Sequence, residues 1–201
     1  MLYIFDLGNV IVEIDFQRAL GVWSHLSGVP LALLQHRFGF DEAFEQHERG
    51  ELTDQQFAAS LCKKLEINLS YAQFTAGWQA IFVGVRSEVV AQMNALRAQG
   101  HRVVILSNTN NLHCEFWPEH YPQVIAAADA VYLSQEMQMR KPETEIYQAV
   151  LEKEGVTAQD ALFFDDNPQN IEAAQRLGIN SVLVTGPETL REWFSARAAT
   201  H

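Results

Sequence analysis

Positive charge is scarce in this chain. Lys and Arg together number 14 against 25 Asp and Glu, so the net charge is −11 over 201 residues. A surface of that sign repels nucleic acid and anionic lipid, and neither is expected as a partner. It gives no long-range attraction to an anionic substrate either. Any anion site must be local, built from a metal, a lysine and backbone N–H groups. Cysteine is scarcer still: Cys62 and Cys114 have no metal-ligand spacing, and two buried or half-buried free thiols are expected. No apolar run approaches the roughly 18 residues of a membrane span. Asp6 breaks the first such run, so no signal-peptide core fits. Internal repeats and low-complexity segments are absent. A soluble, cytoplasmic protein follows, with a monomer favoured.

What is present is enough apolar sequence for a core, 48% of residues. "LYIFDL" (2–7) is short, apolar and rich in aromatic and β-branched residues, and reads as a buried strand. "VIVEID" (10–15) alternates and suits a small hairpin arm. From Phe16 to about Val85 apolar residues recur at three- and four-residue spacing between Gly and Pro. That pattern predicts a bundle of short amphipathic helices, N-capped at Thr53 and Ser70, with no strand.

A βα alternation follows. Helices are expected at 87–100 (N-cap Ser87), 142–155 (Pro142 first), 168–178 and 188–198. Strands are expected at 101–107, 127–134, 161–166 and 180–185. Strands separated by such helices imply a Rossmann-like, doubly wound parallel sheet of the α/β class. The simplest arrangement is an α/β core from residues 1–15 and 86–201, with residues 16–85 inserted as an all-helical cap. Ligands of such sheets bind beyond the carboxyl ends of the strands. Chemistry is therefore expected just after residues 6, 107 and 165.

Those ends carry Asp6, then Ser107 and Asn108, then Asp165, Asp166 and Asn170, with Lys141 before a helix. Taken singly, each has a plain structural reading: a carboxylate at a strand end is usually a turn or cap residue, and Lys-Pro usually only starts a helix. Together they point elsewhere. Three acids gathered on one rim repel and raise each other's pKa unless cations neutralise them. A divalent metal and Lys141 would do so, and oxygen ligands with room for water and phosphate suit Mg²⁺.

The ordered motifs "FDLGNV", "VILSNTN", "MRKPE" and "FFDDNPQN" resemble those of the haloacid dehalogenase superfamily, whose members are mostly phosphohydrolases. The resemblance spans essentially the whole chain, insert included. It implies that Asp6 is a nucleophile forming an aspartyl-phosphate that water hydrolyses. By the same resemblance Ser107 and the Asn108 N–H hold phosphoryl oxygens, and Lys141 neutralises charge between phosphate and Asp6. Mg²⁺, or Mn²⁺ or another divalent ion in its place, would be held by Asp6, the Gly8 carbonyl and Asp166, with Asp165 and Asn170 in support.

Gly8 departs from the family pattern, which carries a second Asp there as general acid and base. Glycine keeps the metal-binding carbonyl and loses the acid, worth roughly 10²–10⁴-fold in rate. One explanation draws the acid from the insert or its flank, with Glu13, Asp15 and His47 as candidates. Another is a leaving group that needs less help, as a sugar's anomeric oxygen does. A small phosphorylated metabolite, a sugar phosphate above all, is the expected substrate.

The stretch "FEQHERGELT" (44–53) is the expected specificity loop, with Glu45, His47, Glu48 and Arg49 able to bind sugar hydroxyls. Substrate contacts are expected from His47 and Arg49. Trp23 and Trp117 suit the core better than a sugar-stacking role, and His113 stands near the site in sequence. Two alternatives stay open: a haloacid-type dehalogenase, which would have no use for the Asp165–Asp166 pair, and a non-catalytic phosphosugar-binding protein, which Gly8 allows. A receiver-type phosphoacceptor module places its acid pair first in the chain, contrary to the order here.

Overall fold

The computed structural model describes residues 1–199. Leu2, Ile4 and Phe5 bury completely, forming β1 (Leu2–Phe5). β2 (Val12–Ile14) follows a tight loop, and then come five helices: α1 (Phe16–Ser27), α2 (Leu31–Arg37), α3 (Glu42–Glu48), α4 (Asp54–Leu65) and α5 (Tyr71–Gln79). Thr53 and Ser70 cap α4 and α5 as expected, each in a reciprocal capping box, with Gln56 and Gln73.

No strand is expected between residues 16 and 85, but β3 (Phe82–Val85) pairs antiparallel with β2. Four residues with an internal glycine are too few to show alternation. The pairing comes from β2, and the Asp15 N–H to Ile81 carbonyl bond extends it. This ribbon joins the two ends of the helical insert.

α6 (Ser87–Ala98) is capped one residue earlier than expected, at Arg86, whose N–H still belongs to the ribbon through the Ile11 carbonyl. β4 (Arg102–Ser107) leads into three short helices, α7 (Asn111–Cys114), α8 (Trp117–His120) and α9 (Pro122–Ala126). β5 (Ala130–Leu133) starts three residues later than expected, because Ala127 still caps α9 and the Asp129 side chain accepts the Val103 N–H. After α10 (Ser134–Met137), α11 (Thr144–Glu154) starts two residues past Pro142. Glu143 closes a turn on Arg140 there, its N–H on the Arg140 carbonyl and its Oε1 on the Arg140 N–H. β6 (Ala161–Asp165), α12 (Pro168–Arg176), β7 (Asn180–Leu183) and α13 (Thr189–Ala198) complete the described chain.

Five strands form one parallel sheet in the order β5-β4-β1-β6-β7. Alternate residues face opposite layers, as strand geometry requires. Leu2, Ile4, Val104, Leu106, Ala161 and Phe163 pack against α11 and α12. Phe5, Val103, Ile105, Leu162 and Phe164 pack on the other face, in a core continuous with α6, α13 and the insert. The chain runs outward from β1 to β5 on one side, then crosses to β6 on the other. That reversal about β1 opens a crevice at its carboxyl end.

The insert has its own aromatic centre. Trp23 stacks on Phe74 and Trp78, at centroid distances of 4.9 and 5.8 Å. Trp23 and Trp117 are both fully buried, so each is a core residue.

Candidate active site

The crevice at the end of β1 collects the expected residues. β1, β4 and β6 deliver Asp6, Ser107 and Asp165 to one rim, because the parallel pairing keeps their ends in register. Lys141 reaches in from the loop before α11, wholly buried despite its charge. Its ammonium donates to Asp6 Oδ1 at 2.9 Å, Asp165 Oδ2 at 2.7 Å and the Leu106 carbonyl at 2.9 Å. Three protons meet three acceptors, so the cation is saturated and geometrically fixed. Burial would discharge it, but Asp165 and Asp6 outweigh burial and raise its pKa above the ordinary lysine value.

Asn108 positions that lysine. Its Nδ2 donates to the Lys141 carbonyl and its Oδ1 accepts the Lys141 N–H, both at 2.8 Å. The resemblance implies a role for the Asn108 backbone only. The side-chain clamp joins residues 33 apart and had no sequence signal.

The three acids are not equivalent. Asp165 is fully buried and committed to the protein: Oδ1 accepts the Asn167 N–H at 2.8 Å, and Oδ2 accepts from Lys141 and from Asn170 Nδ2 at 3.1 Å. Asn170 in turn offers its carbonyl to the Tyr147 hydroxyl. Asp6 and Asp166 are left for a ligand. Burial, and after it the charge of Asp165, pushes the Asp6 carboxyl well above the usual range, Lys141 opposing. Burial also raises Asp166. Ligand oxygens of all three lie within 4.8 Å of one another. Three carboxylates against one ammonium leave a local excess of negative charge. Burial first, and the charge of Asp165 after it, raise both carboxyls, and a divalent cation bound to hard oxygen ligands would offset the excess. The donor set therefore fits Mg²⁺.

Gly8 has an ordinary backbone conformation, so its lack of a side chain has another cause. A Cβ there would stand 2.7 Å from Ile14 Cδ1 and 3.4 Å from Cγ1. Ile14 fills the space that an acid at position 8 would need.

The insert closes the crevice from above. A cavity between it and the sheet is walled by Phe16, Phe44, Ile81 and Phe82 on one side and by Gly8, Ser107 and Asn108 on the other; Glu48 also lines it. The expected specificity loop is the end of α3 and the turn after it, and it is tied to the core. Arg140 Nε donates to Glu48 Oε1 at 2.9 Å and Arg140 Nη1 to Glu45 Oε1 at 3.3 Å. Arg49 Nε donates to Glu143 Oε2 at 2.7 Å. Gly50 has φ +75° and lies so close to the core that an added Cβ would meet the Gln135 carbonyl at 2.7 Å.

Several expected roles are not supported by position. His47 turns into the insert, 2% exposed, with its Nε2 on Asp54 Oδ1 at 2.9 Å and its ring stacked 4.2 Å from Phe57. It cannot donate to a substrate. Arg49 is engaged by Glu143 and acts as a tie between insert and core. Asp15 caps α1, Glu13 lies beside Arg86, and neither lines the cavity. His113 does line the cavity but is locked: its Nδ1 meets Asn110 Nδ2 and its Nε2 meets the Trp78 carbonyl. Burial drives its pKa down to about 3, so it is neutral, and those partners fix the proton on Nε2. Cys62 and Cys114 are both free and half-buried, as expected. Among the described residues no helix is long and apolar enough to cross a membrane.

The comparisons agree with this geometry. A family model described as haloacid dehalogenase-like hydrolase matches residues 1–178. The D-ribitol-5-phosphate phosphatase of Bacteroides thetaiotaomicron is 28% identical over 196 residues, covering 94% of this chain and 93% of that protein. A phosphatase of Mycobacterium tuberculosis is 26% identical over 197 residues, covering 90% and 85%. Among solved structures, a haloacid dehalogenase family enzyme of B. thetaiotaomicron in complex with magnesium and inorganic phosphate superposes with a TM-score of 0.80 at 29% identity, covering 90% of this chain and 92% of that one. A hydrolase-like protein of Porphyromonas gingivalis shares the fold, with a TM-score of 0.81 at 22% identity over 99% and 96% of the two chains. With its motifs gathered at one sheet edge and its family model spanning most of its length, the chain belongs to the haloacid dehalogenase-like hydrolases, an enzyme family that includes the phosphatases it is similar to.

Proposed function

We propose that the protein is a Mg²⁺-dependent phosphomonoesterase acting through an aspartyl-phosphate on Asp6. The observation that carries this reading is the Lys141 ammonium, fixed between Asp6 and Asp165 beside the outward-facing Asp166. Lys141 aims the Asp6 carboxylate and offsets charge on an incoming phosphoryl group. Ser107 and the Asn108 N–H would hold phosphoryl oxygens. Asp6, the Gly8 carbonyl and Asp166 would hold the metal, which supplies charge neutralisation for the transferring group. Mn²⁺ or another divalent ion could serve in its place.

The substrate class we infer is a small sugar phosphate, with α-D-glucose 1-phosphate as the specific candidate. Its support is the cavity wall: Phe16, Phe44 and Phe82 offer apolar faces to sugar C–H groups, beside the polar Glu48 and Asn108. An anomeric oxygen is also a better leaving group than a simple alkoxide, which suits a site with Gly8 in place of the acid. The acidic surface and the buried site suit a monomeric enzyme of the cytoplasm. The test is phosphate release over a panel of phosphomonoesters with Mg²⁺, including both anomers of a hexose 1-phosphate and a pentitol 5-phosphate. Fastest turnover on the α-anomer supports the assignment. Preference for the pentitol phosphate moves the substrate and keeps the reaction class.

A further inference from the structure

We propose that Glu48, supplied by the helical insert, is the general acid and base that this site lacks at Gly8. The inference rests on the phosphatase reading above and assigns its missing proton. Glu48 lies at the end of α3, 4% exposed, and lines the same cavity as Gly8, Ser107 and Asn108. Oε1 accepts from Arg140 Nε at 2.9 Å, and Oε2 has no hydrogen-bond partner among the described residues. One oxygen is therefore anchored while the other is left for substrate.

Its surroundings suit the task. Burial raises the Glu48 carboxyl to about 7, ahead of the lowering effects of Arg140 and Lys141 and the small raising effect of Glu45. Those are the charged groups that act on it. His113, which lines the same cavity, is neutral. A carboxyl balanced near 7 can give a proton in one step and take one in the next. Among the described residues no other carboxyl lines that cavity. Glu13 and Asp15 do not line it, and Asp165 is committed to Lys141.

The steps balance. Asp6 forms a bond to phosphorus as the bond to the ester oxygen breaks. The Glu48 carboxyl gives its proton to that oxygen, and a neutral alcohol leaves. Glu48, now a carboxylate, takes a proton from the attacking water. The water's oxygen bonds to phosphorus, the bond to Asp6 breaks, and phosphate departs with Asp6 and protonated Glu48 restored. The insert is held to the core by Arg140 and Arg49, which keeps Glu48 at the cavity.

The test compares Glu48→Gln with wild type in kcat/KM, which covers steps through departure of the alcohol. A hexose 1-phosphate and a simple alkyl phosphate need a proton at the leaving oxygen; p-nitrophenyl phosphate does not. The variant should lose about 10²–10⁴-fold on the alkyl phosphate, less on the hexose 1-phosphate with its better leaving oxygen, and less than tenfold on p-nitrophenyl phosphate. The fall in kcat/KM above pH ~7 should vanish with it. Glutamine keeps the acceptor for Arg140, so folding is preserved. As a second variant, Arg140→Gln should move the same falling limb to higher pH by removing a lowering charge. Equal losses on all three substrates, or a pH limb unmoved in both variants, would overturn the role of Glu48 while leaving the phosphatase reading intact. No phosphate release by wild type on any substrate would overturn both.

Discussion

Position 8 offers a quantitative check on how the site is built. A Cβ at Gly8 would lie 2.7 Å from Ile14 Cδ1, well inside contact distance. Ile14 is β-branched and stiff at χ1, it is half-buried against the core, and Phe82 opposes it in the ribbon. Its terminal methyl turns about χ2 and borders the cavity, so yielding to a Cβ costs at the low end of the roughly 1–3 kcal/mol of overpacking. Gly8→Ala isolates that steric cost, and Gly8→Asp adds the acid. For a chain of this size ~1 kcal/mol moves Tm by about 2–4 °C, so Gly8→Ala should lower Tm by at least ~2 °C. Ile14→Val removes Cδ1 alone and costs about 0.5–1.5 kcal/mol by itself. In a double-mutant cycle the two changes should couple favourably by roughly 1 kcal/mol, because the shorter side chain leaves room for the new Cβ. The same pair tests the chemistry. Gly8→Asp with Ile14→Val should restore alkyl phosphate turnover to Glu48→Gln and add little to wild type. Calorimetry gives the stabilities and phosphate release the rates. A cycle with no coupling would refute the steric account of Gly8.

Other perturbations have definite directions. Lys141→Met leaves Asp6 and Asp165 buried without their counter-charge, and should cost about 3–5 kcal/mol in urea unfolding; a cost below ~1 kcal/mol would refute the stabilising role of the buried ion pairs. Gly50→Ala forces a left-handed conformation worth roughly 1–2 kcal/mol and a clash with the Gln135 carbonyl, so Tm should fall and the KM for a hexose 1-phosphate should rise as the α3 turn lifts from the core. His113 has a folded-state pKa of about 3 against the usual 6.5, so the unfolded chain takes up its proton first as pH falls. The stability from neutral His113 is complete above pH 6.5 and drains away below it, at about 1.4 kcal/mol per pH unit. Between pH 7 and 5 the stability gap between wild type and His113→Gln should shrink by roughly 2 kcal/mol; a gap independent of pH would show that His113 does not titrate this way.

The rim of the site was legible because strand ends announce themselves. An apolar run ending in Asp6, another ending in Ser107 and a third ending in Asp165 fix both the sheet and its edge, and parallel register does the rest. What could not be read depends on contacts between distant residues. Asn108 clamps Lys141 across 33 positions, and Arg140 holds Glu48 across 92. Arg140 stood next to Lys141 in the motif, yet nothing local assigned it a partner. His47 and Glu48 are adjacent and equally polar in sequence. Asp54 and Phe57 on α4 draw His47 inward, while Arg140 draws Glu48 toward the sheet. β3 is illegible in the sequence for the same reason, since its pairing with β2 makes it a strand. Trp23 and Trp117 could be assigned to the core from the ordinary preference of large apolar rings for burial.

The central claim is that Asp6 accepts the phosphoryl group. Its most direct test is mass spectrometry of the acid-quenched enzyme during turnover of a hexose 1-phosphate with Mg²⁺. The account predicts a phosphoryl adduct on the peptide carrying Asp6, lost once the substrate is exhausted and absent from Asp6→Asn, which should release no phosphate. Steady phosphate release by Asp6→Asn, or an adduct confined to another residue, would contradict it.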